Sequence, residues 1–223
     1  MRKQRVIPWE VRGEMTQRQK DIAIGMILGD AYLQKTGKRN ARLRLEQGFS
    51  QRNYLEWKVD QFKNYFQSKI RALERENPVW KKTYQYVRIQ STASPDFGKL
   101  RSIFYNSSQK IIPKTIAMIF KKPLSLAVWF MDDGYYYQRD KIAYLYIPNF
   151  DNESIKYLLE ALRYNFNLLP ILKKKKRGLV LVFSVQETQK LMSLIKKYII
   201  PSMCYKLPLD PVSTDRKSDF SDK

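Results

Sequence analysis

Apolar residues in this chain come at two spacings. At helical spacing lie Ile22, Ala23, Met26 and Ile27; Tyr54, Leu55, Val59, Phe62 and Phe66; Leu126, Ala127, Phe130 and Met131; and Ile155, Leu158, Leu159, Leu162 and Phe166. Each set places an apolar stripe on a helix. At alternating spacing, Leu43 and Leu45 sit between Arg42, Arg44 and Glu46. Val87 and Ile89 likewise oppose Tyr84, Tyr86, Arg88 and Gln90, and Ala143, Leu145 and Ile147 oppose Tyr144 and Tyr146. That period makes two-faced strands. Local chemistry marks the helix starts: Thr16 with Gln19 fits a capping box, Ser50 and Asp151 can act as N-caps, and Ser94-Pro95 and Pro123 put proline at a first helical position. Strands are expected over 32–34, 42–47, 84–90, 135–137 and 142–147, with a hairpin over 168–174 and 179–184 and a last helix over 186–198.

The second half repeats the order of the first: helix, two strands, helix, two strands, helix. The first helices end 133 − 30 = 103 residues apart, at Asp30 and Asp133, and the second helices start 151 − 50 = 101 apart. The expected organisation is a basic arm over 1–15, a first repeat over 16–115, a second over 116–207 and a loose Ser-, Asp- and Pro-rich tail over 208–223. The fold class is mixed α/β, in α+β form, with two αββαββα repeats.

Composition narrows the chemistry. Over 223 residues, 42 Lys and Arg against 21 Asp and Glu give a formal charge of +21. At 43% hydrophobic residues the chain is too apolar for a disordered polycation. A folded protein so charged is expected to meet a polyanion, and nucleic acid comes first because neutralising phosphates releases condensed counterions. Lys and Arg are scattered through the chain, without the single basic amphipathic helix of a membrane binder. No apolar run reaches the roughly 18–20 residues of a membrane span, and the first 15 residues hold no secretory signal. The expected location is intracellular, in a prokaryotic cytoplasm or an organelle. A single cysteine, Cys204, excludes an internal disulfide and a multi-cysteine zinc site. There is no histidine, which removes Ser–His and Cys–His catalysis and every histidine-based nuclease mechanism. Any hydrolysis must rest on carboxylates, lysines and a hard metal.

Two carboxylates stand out. Asp30 in AIGMILGDA (residues 23–31) and Asp133 in LAVWFMDDG (residues 126–134) each end a largely apolar helix. A helix C-terminus carries partial negative charge, so an acid there is unfavourable. One such residue is an ordinary helix terminator; the same anomaly at equivalent points of two repeats asks for another reason. Gly25, Gly29 and Ala127 would let the two helices approach closely, bringing both acids to one end. Adjacent carboxylates repel unless divalent cations lie between or beside them, and all-oxygen ligation suits Mg²⁺.

With these two nine-residue segments the chain resembles the single-chain, two-motif LAGLIDADG homing endonucleases, most nearly those of yeast mitochondrial introns. Further stretches that carry the resemblance are GMILGDAY (25–32), KIIP (110–113), LSLAVWFMDDG (124–134) and MCYKLP (203–208). Leu28 and Met131 depart from the motif, standing where the family name has its first Asp. The resemblance implies a saddle of antiparallel sheets about a pseudo-twofold axis. It implies that Asp30 and Asp133 are catalytic metal-binding acids, with Gly29 and Asp132 beside them in the metal site and Asp132 the weaker ligand. It also implies one active-site lysine per half, Lys110 and Lys206. The implied cofactor is Mg²⁺, with Mn²⁺ able to substitute.

On the strands, Arg42, Arg44, Glu46, Tyr84, Tyr86, Arg88, Gln90, Tyr144 and Tyr146 form the face expected to read base edges, since Arg and Gln match guanine and adenine in the major groove. Lys38, Arg39, Lys81, Lys82, Lys174, Lys176 and Arg177 are expected in turns, touching phosphates. The implied activity is a double-strand break by a monomer at a long, asymmetric duplex site, promoting movement of an intron or intein. The alternative is an RNA-binding intron maturase on the same fold with weak or no cleavage, its partner the host intron RNA.

Overall fold

The computed structural model describes residues 14–79, 81–176 and 178–209. The arm expected over 1–15, but for its last two residues, and the tail expected over 208–223, but for its first two, lie outside them. The chain divides after Pro113 into two compact units.

In the first unit, α1 (Gln17–Leu28) starts at a complete capping box: Gln19 N donates to Thr16 Oγ1 at 3.2 Å, and Thr16 N to Gln19 Oε1 at 3.0 Å. Every residue from 21 to 28 is buried, the fate of a helix apolar all round. Strands β1 (Tyr32–Lys35), β2 (Ala41–Gly48), β3 (Arg71–Asn77) and β4 (Lys82–Gln90) form an antiparallel sheet in the order β1-β2-β4-β3. Its inner face buries Leu33, Leu43, Leu45, Val87 and Ile89. Helices α2 (Arg52–Gln61) and α3 (Pro95–Phe104) lie against β2. Ser94 caps α3, its Oγ accepting from Asp96 N at 3.1 Å. A short hairpin of β5 (Tyr105–Asn106) and β6 (Gln109–Lys110) follows.

One glycine of α3 is fixed by contact. A Cβ on Gly98 would lie 1.9 Å from the carbonyl oxygen of Arg39, in the turn that joins β1 to β2. Because that atom is backbone, the helix or the turn must move. Gly98→Ala is therefore expected to destabilise by about 1–3 kcal/mol, read as a lowered melting temperature.

The second unit has α4 (Ile116–Ile119), α5 (Pro123–Asp133), β7 (Gly134–Tyr137), β8 (Ile142–Ile147), α6 (Asn152–Phe166), β9 (Ile171–Lys175), β10 (Gly178–Phe183) and α7 (Val185–Ile195). Its sheet runs β7-β8-β10-β9, the order of the first unit displaced along the chain. Residues 124–131 of α5 are all buried. Asp151 caps α6 by accepting from Ser154 N at 2.7 Å. Asn165 of α6 donates to the carbonyls of Ala117 and Phe120 at 2.9 and 2.8 Å, closing the end of α4. Among the described residues no helix is long and apolar enough to cross a membrane.

The structure departs from the sequence pattern where geometry changes mid-element. Ser50 is not a cap; it lies within a 3-10 turn, Phe49–Gln51, that precedes α2. Helix α2 stops at Gln61 and a second 3-10 turn, Lys63–Tyr65, continues the path. The tighter turn makes the repeat three residues, so Phe62 and Tyr65 are buried and Phe66 only partly so. Lys58 takes the core position expected of Val59, its ammonium 4.2 Å from the centre of the Tyr54 ring. Strand β9 starts at Ile171, because Asn167 turns left-handed (φ 53°) to close α6 and Pro170 has no amide to pair. The last helix ends at Ile195 and tightens into a 3-10 turn, Lys196–Tyr198.

Candidate active site and nucleic-acid interface

The two motif helices end alike. After Leu28, Gly29 N still donates to Gly25 O (3.1 Å) and Ala31 N to Met26 O (2.9 Å), so Asp30 is carried on the last hydrogen-bonded turn before β1. In the second unit Asp133 is the final residue of α5, and β7 begins at once with Gly134. No side chain fits at that glycine: a Cβ would meet the Phe130 carbonyl oxygen at 2.4 Å and its ring at 2.3 Å. Asp30 is exposed and Asp133 half-buried.

A lysine closes each helix end. Lys110 Nζ donates to Gly29 O at 2.9 Å and Ala31 O at 3.1 Å. Lys206 Nζ donates to Met131 O at 2.5 Å, Asp132 O at 2.9 Å and Phe130 O at 3.5 Å. The carbonyls of a last helical turn lack helical partners and concentrate the negative end of the helix dipole. An ammonium there satisfies them and offsets the charge. It also explains how Lys206, only 8% exposed, is tolerated, since a buried cation needs such partners. Both lysines hold the carbonyl of the residue immediately before the motif acid, Gly29 in one unit and Asp132 in the other, at the same 2.9 Å.

A third group joins the first of these ends. Gln47, 5% exposed on the inner face of β2, donates from Nε2 to Asp30 Oδ2 at 3.0 Å. The strand registers pair Tyr32 with Arg44 and Tyr135 with Tyr144. Three residues on from each, Gln47 corresponds to Ile147. Each acidic end thus has its own lysine, and the strand position that holds Gln47 in the first unit holds Ile147 in the second. Among the described residues no three metal-ligating side chains converge.

The outer sheet faces differ more. In the first unit Arg44 pairs with Gln90 and Glu46 with Arg88, so Arg42, Arg44, Glu46, Tyr84, Tyr86, Arg88 and Gln90 share one face. Arg75 grips Glu46 with both terminal nitrogens at 2.7 and 2.8 Å, and Arg88 Nε adds a bond of 2.6 Å. Partial burial pushes the Glu46 carboxyl upward, but the bonds and charges of Arg75 and Arg88 outweigh it and hold the group below its usual range. In the second unit Tyr144 and Tyr146 face outward with Tyr135, whose ring stacks on Tyr144 at 6.5 Å. Lys175 Nζ sits 3.9 Å from the centre of the Tyr144 ring.

Residues 20–191 match the LAGLIDADG DNA endonuclease family. The chain belongs to that family. It is 31% identical over 194 residues to the probable intron-encoded endonuclease 1 of Wickerhamomyces canadensis, covering 85% of this chain and 83% of that protein. It is 26% identical to the cytochrome b mRNA maturase bI2 of Saccharomyces cerevisiae, covering 83% of this chain but 46% of that protein. Among solved structures it superposes on the homing endonuclease I-WcaI bound to its DNA recognition sequence, with a TM-score of 0.82 and 28% identity over 90% of each chain.

Within this LAGLIDADG chain, each unit brings its acid and its lysine to the same helix end. Gln47 was not foreseen, although a polar residue at the buried parity after Leu43 and Leu45 was there to be noticed. Lys38 and Arg39 lie in the β1–β2 turn and Lys176 in the β9–β10 turn. Lys81 is a turn residue with φ of 48°. Lys82 and Lys174 are strand residues, not turn residues. Lys174 pairs with Leu179, on the face opposite the tyrosines, whereas Lys173 and Lys175 share the tyrosine face. Arg177 lies outside the described residues.

Proposed function

We propose that this endonuclease makes a divalent-metal-dependent double-strand break at one long, asymmetric DNA site, and so promotes mobility of the intron or intein that encodes it. The observation that carries the reading is the repeated helix end, an acid beside a lysine-clamped backbone, once in each of two unlike units. Two different half-chains suit a target whose halves differ, where a homodimer would favour a palindrome. A monomer then suffices. The place of action is where host DNA is kept, a prokaryotic cytoplasm or an organelle.

Asp30 and Asp133 offer carboxylate oxygens at the ends of rigid helices, and the neighbouring donors are backbone carbonyls. This all-oxygen set fits a hard cation such as Mg²⁺, with Mn²⁺ as substitute. Among the described residues no three His, Cys, Asp or Glu side chains cluster, so water and target phosphates would complete the ligand set. Such a cation supplies Lewis-acid polarisation of the phosphoryl oxygen and activation of a water. The chain's own part is placement. The lysines fix the backbone that carries each acid and put positive charge beside the site where the phosphorane charge grows. Arg and Gln on the first unit's outer face read bases, and lysines in turns hold phosphates.

A second reading, an RNA-binding maturase, is favoured by the likeness to bI2. The paired acids weigh against it as the sole function, because RNA binding gains nothing from negative charge at two helix ends. Salt titration of duplex binding tests the interface: with 6–10 phosphate contacts the affinity is expected to fall by roughly 10³–10⁵ between 50 and 200 mM salt. An affinity indifferent to salt would exclude a phosphate-dominated surface.

A further inference from the structure

We infer that the second unit reads a T·A-rich half of the DNA target through thymine methyl groups, while the first unit reads guanine and adenine. This rests on the site-specific reading above. The two sheets share one topology, so corresponding outer positions can be compared directly. In the first unit they carry Arg42, Arg44, Arg88, Gln34 and Gln90, side chains with paired donors or a donor and acceptor, alongside Tyr32, Glu46, Tyr84 and Tyr86. In the second they carry Tyr135, Tyr137, Tyr144, Tyr146, Ile171 and Val182. At the strand positions of that second face the only charged residues are Lys173 and Lys175, both on the edge strand β9; Arg139, in the β7–β8 turn and paired with Asp140, lies over Tyr137 at its margin. Its strand positions hold no Arg, Asn or Gln, and the Arg139 guanidinium is already engaged by Asp140, so the strands offer no bidentate partner to guanine or adenine.

The face is nonetheless exposed: Tyr135 is 52% and Ile171 61% accessible. An apolar surface of this kind asks for an occupant. Duplex DNA fits on charge, because lysines border the face of a chain at +21. The base feature that an apolar surface recognises in the major groove is the C5-methyl of thymine, and tyrosine hydroxyls can donate to thymine O4. The rings are held in place for this. Tyr135 stacks on Tyr144, Lys175 covers the Tyr144 ring, and the Arg139 guanidinium lies 5.1 Å from the Tyr137 ring centre. Preset rings lose little freedom on binding.

The test selects binding sites from a random duplex library with the full chain in EDTA, then replaces thymine by uracil, which removes only the methyl group. One half of the selected site is expected to be rich in T·A pairs. There each contacted methyl removed weakens binding by about fourfold, with no change for the same replacement in the other half. Tyr144→Ala is expected to abolish the uracil effect at one position and Tyr144→Phe to keep it. The wild-type comparison stands even if a variant fails to fold. Selected sites with G·C pairs throughout both halves, or equal affinity for thymine and uracil, would overturn the inference and leave site-specific binding intact. Equal affinity would also be the outcome if the tyrosine face docks another protein. Failure to enrich any sequence would overturn both this inference and the reading it rests on.

Discussion

Asp30→Asn and Asp133→Asn are each expected to abolish double-strand cleavage, by at least about 10³-fold, while duplex binding survives. The substitution keeps the shape of the side chain but removes the negative charge that holds a cation, and losing Lewis-acid assistance costs several kcal/mol of barrier. Neither variant is expected to melt appreciably lower. An acid at a helix C-terminus is unfavourable for the fold, so neutralising it removes a repulsion. Binding is expected to strengthen slightly, since charge facing phosphate has also gone. Cleavage of supercoiled and linear substrates separates two versions of the chemistry. If each acid serves its own strand, each variant nicks one strand, and a different one. If the acids act jointly, neither variant nicks. A variant that cuts both strands at the wild-type rate removes that Asp from the site. Loss of binding together with cleavage would mean that the acid merely terminates its helix.

Lys206→Met is expected to produce the second large effect, with a combined loss of stability and cleavage as its signature. The ammonium satisfies carbonyls of Phe130, Met131 and Asp132 in a site that is 92% shielded, at 8% exposure. A thioether makes no such bonds, and leaving buried acceptors unsatisfied costs about 1–3 kcal/mol. The lost charge beside the reacting phosphate is expected to slow cleavage by about 10²-fold or more, measured well below the variant's melting temperature. Lys110→Met should destabilise less, because Lys110 is half-buried and its two described bonds are only part-buried. The order Lys206 before Lys110 in stability, with both impaired in cleavage, is the expected result. Lysine variants that cleave normally would limit these residues to holding the fold.

How much of this could be read from the chain alone depended on pattern strength. Alternation in 42–46, 84–90 and 142–147 assigned the outer and inner faces as the sheets now show them. Repetition of caps and apolar runs revealed two equivalent halves. Periodicity failed where the pattern was uniform or polar throughout. Strand β3 (RALEREN) is an edge strand exposed on both sides, so burial imposed no alternation on it, and Arg75 escaped notice. The run Lys173 to Lys176 is likewise featureless; only its register with β10 separates Lys173 and Lys175 from Lys174. Tyr65 replaced Phe66 in the core because a 3-10 turn shifts helical phase, whereas Lys58 replaced Val59 within regular α-helix, four residues from both Tyr54 and Phe62. Lys110 and Lys206 came from likeness to a family. No local pattern marks a lysine that will fold back on a helix some 75 to 81 residues earlier in the chain.

Cleavage of a random duplex library, with the cut ends sequenced, tests the central claim most directly. With Mg²⁺ the expected result is a set of paired ends that align on one long, asymmetric sequence, absent when EDTA replaces the metal and absent from Asp30→Asn and Asp133→Asn. Ends scattered without sequence preference, cutting that persists in EDTA, or no cutting by a chain that binds structured RNA more tightly than duplex DNA would contradict it.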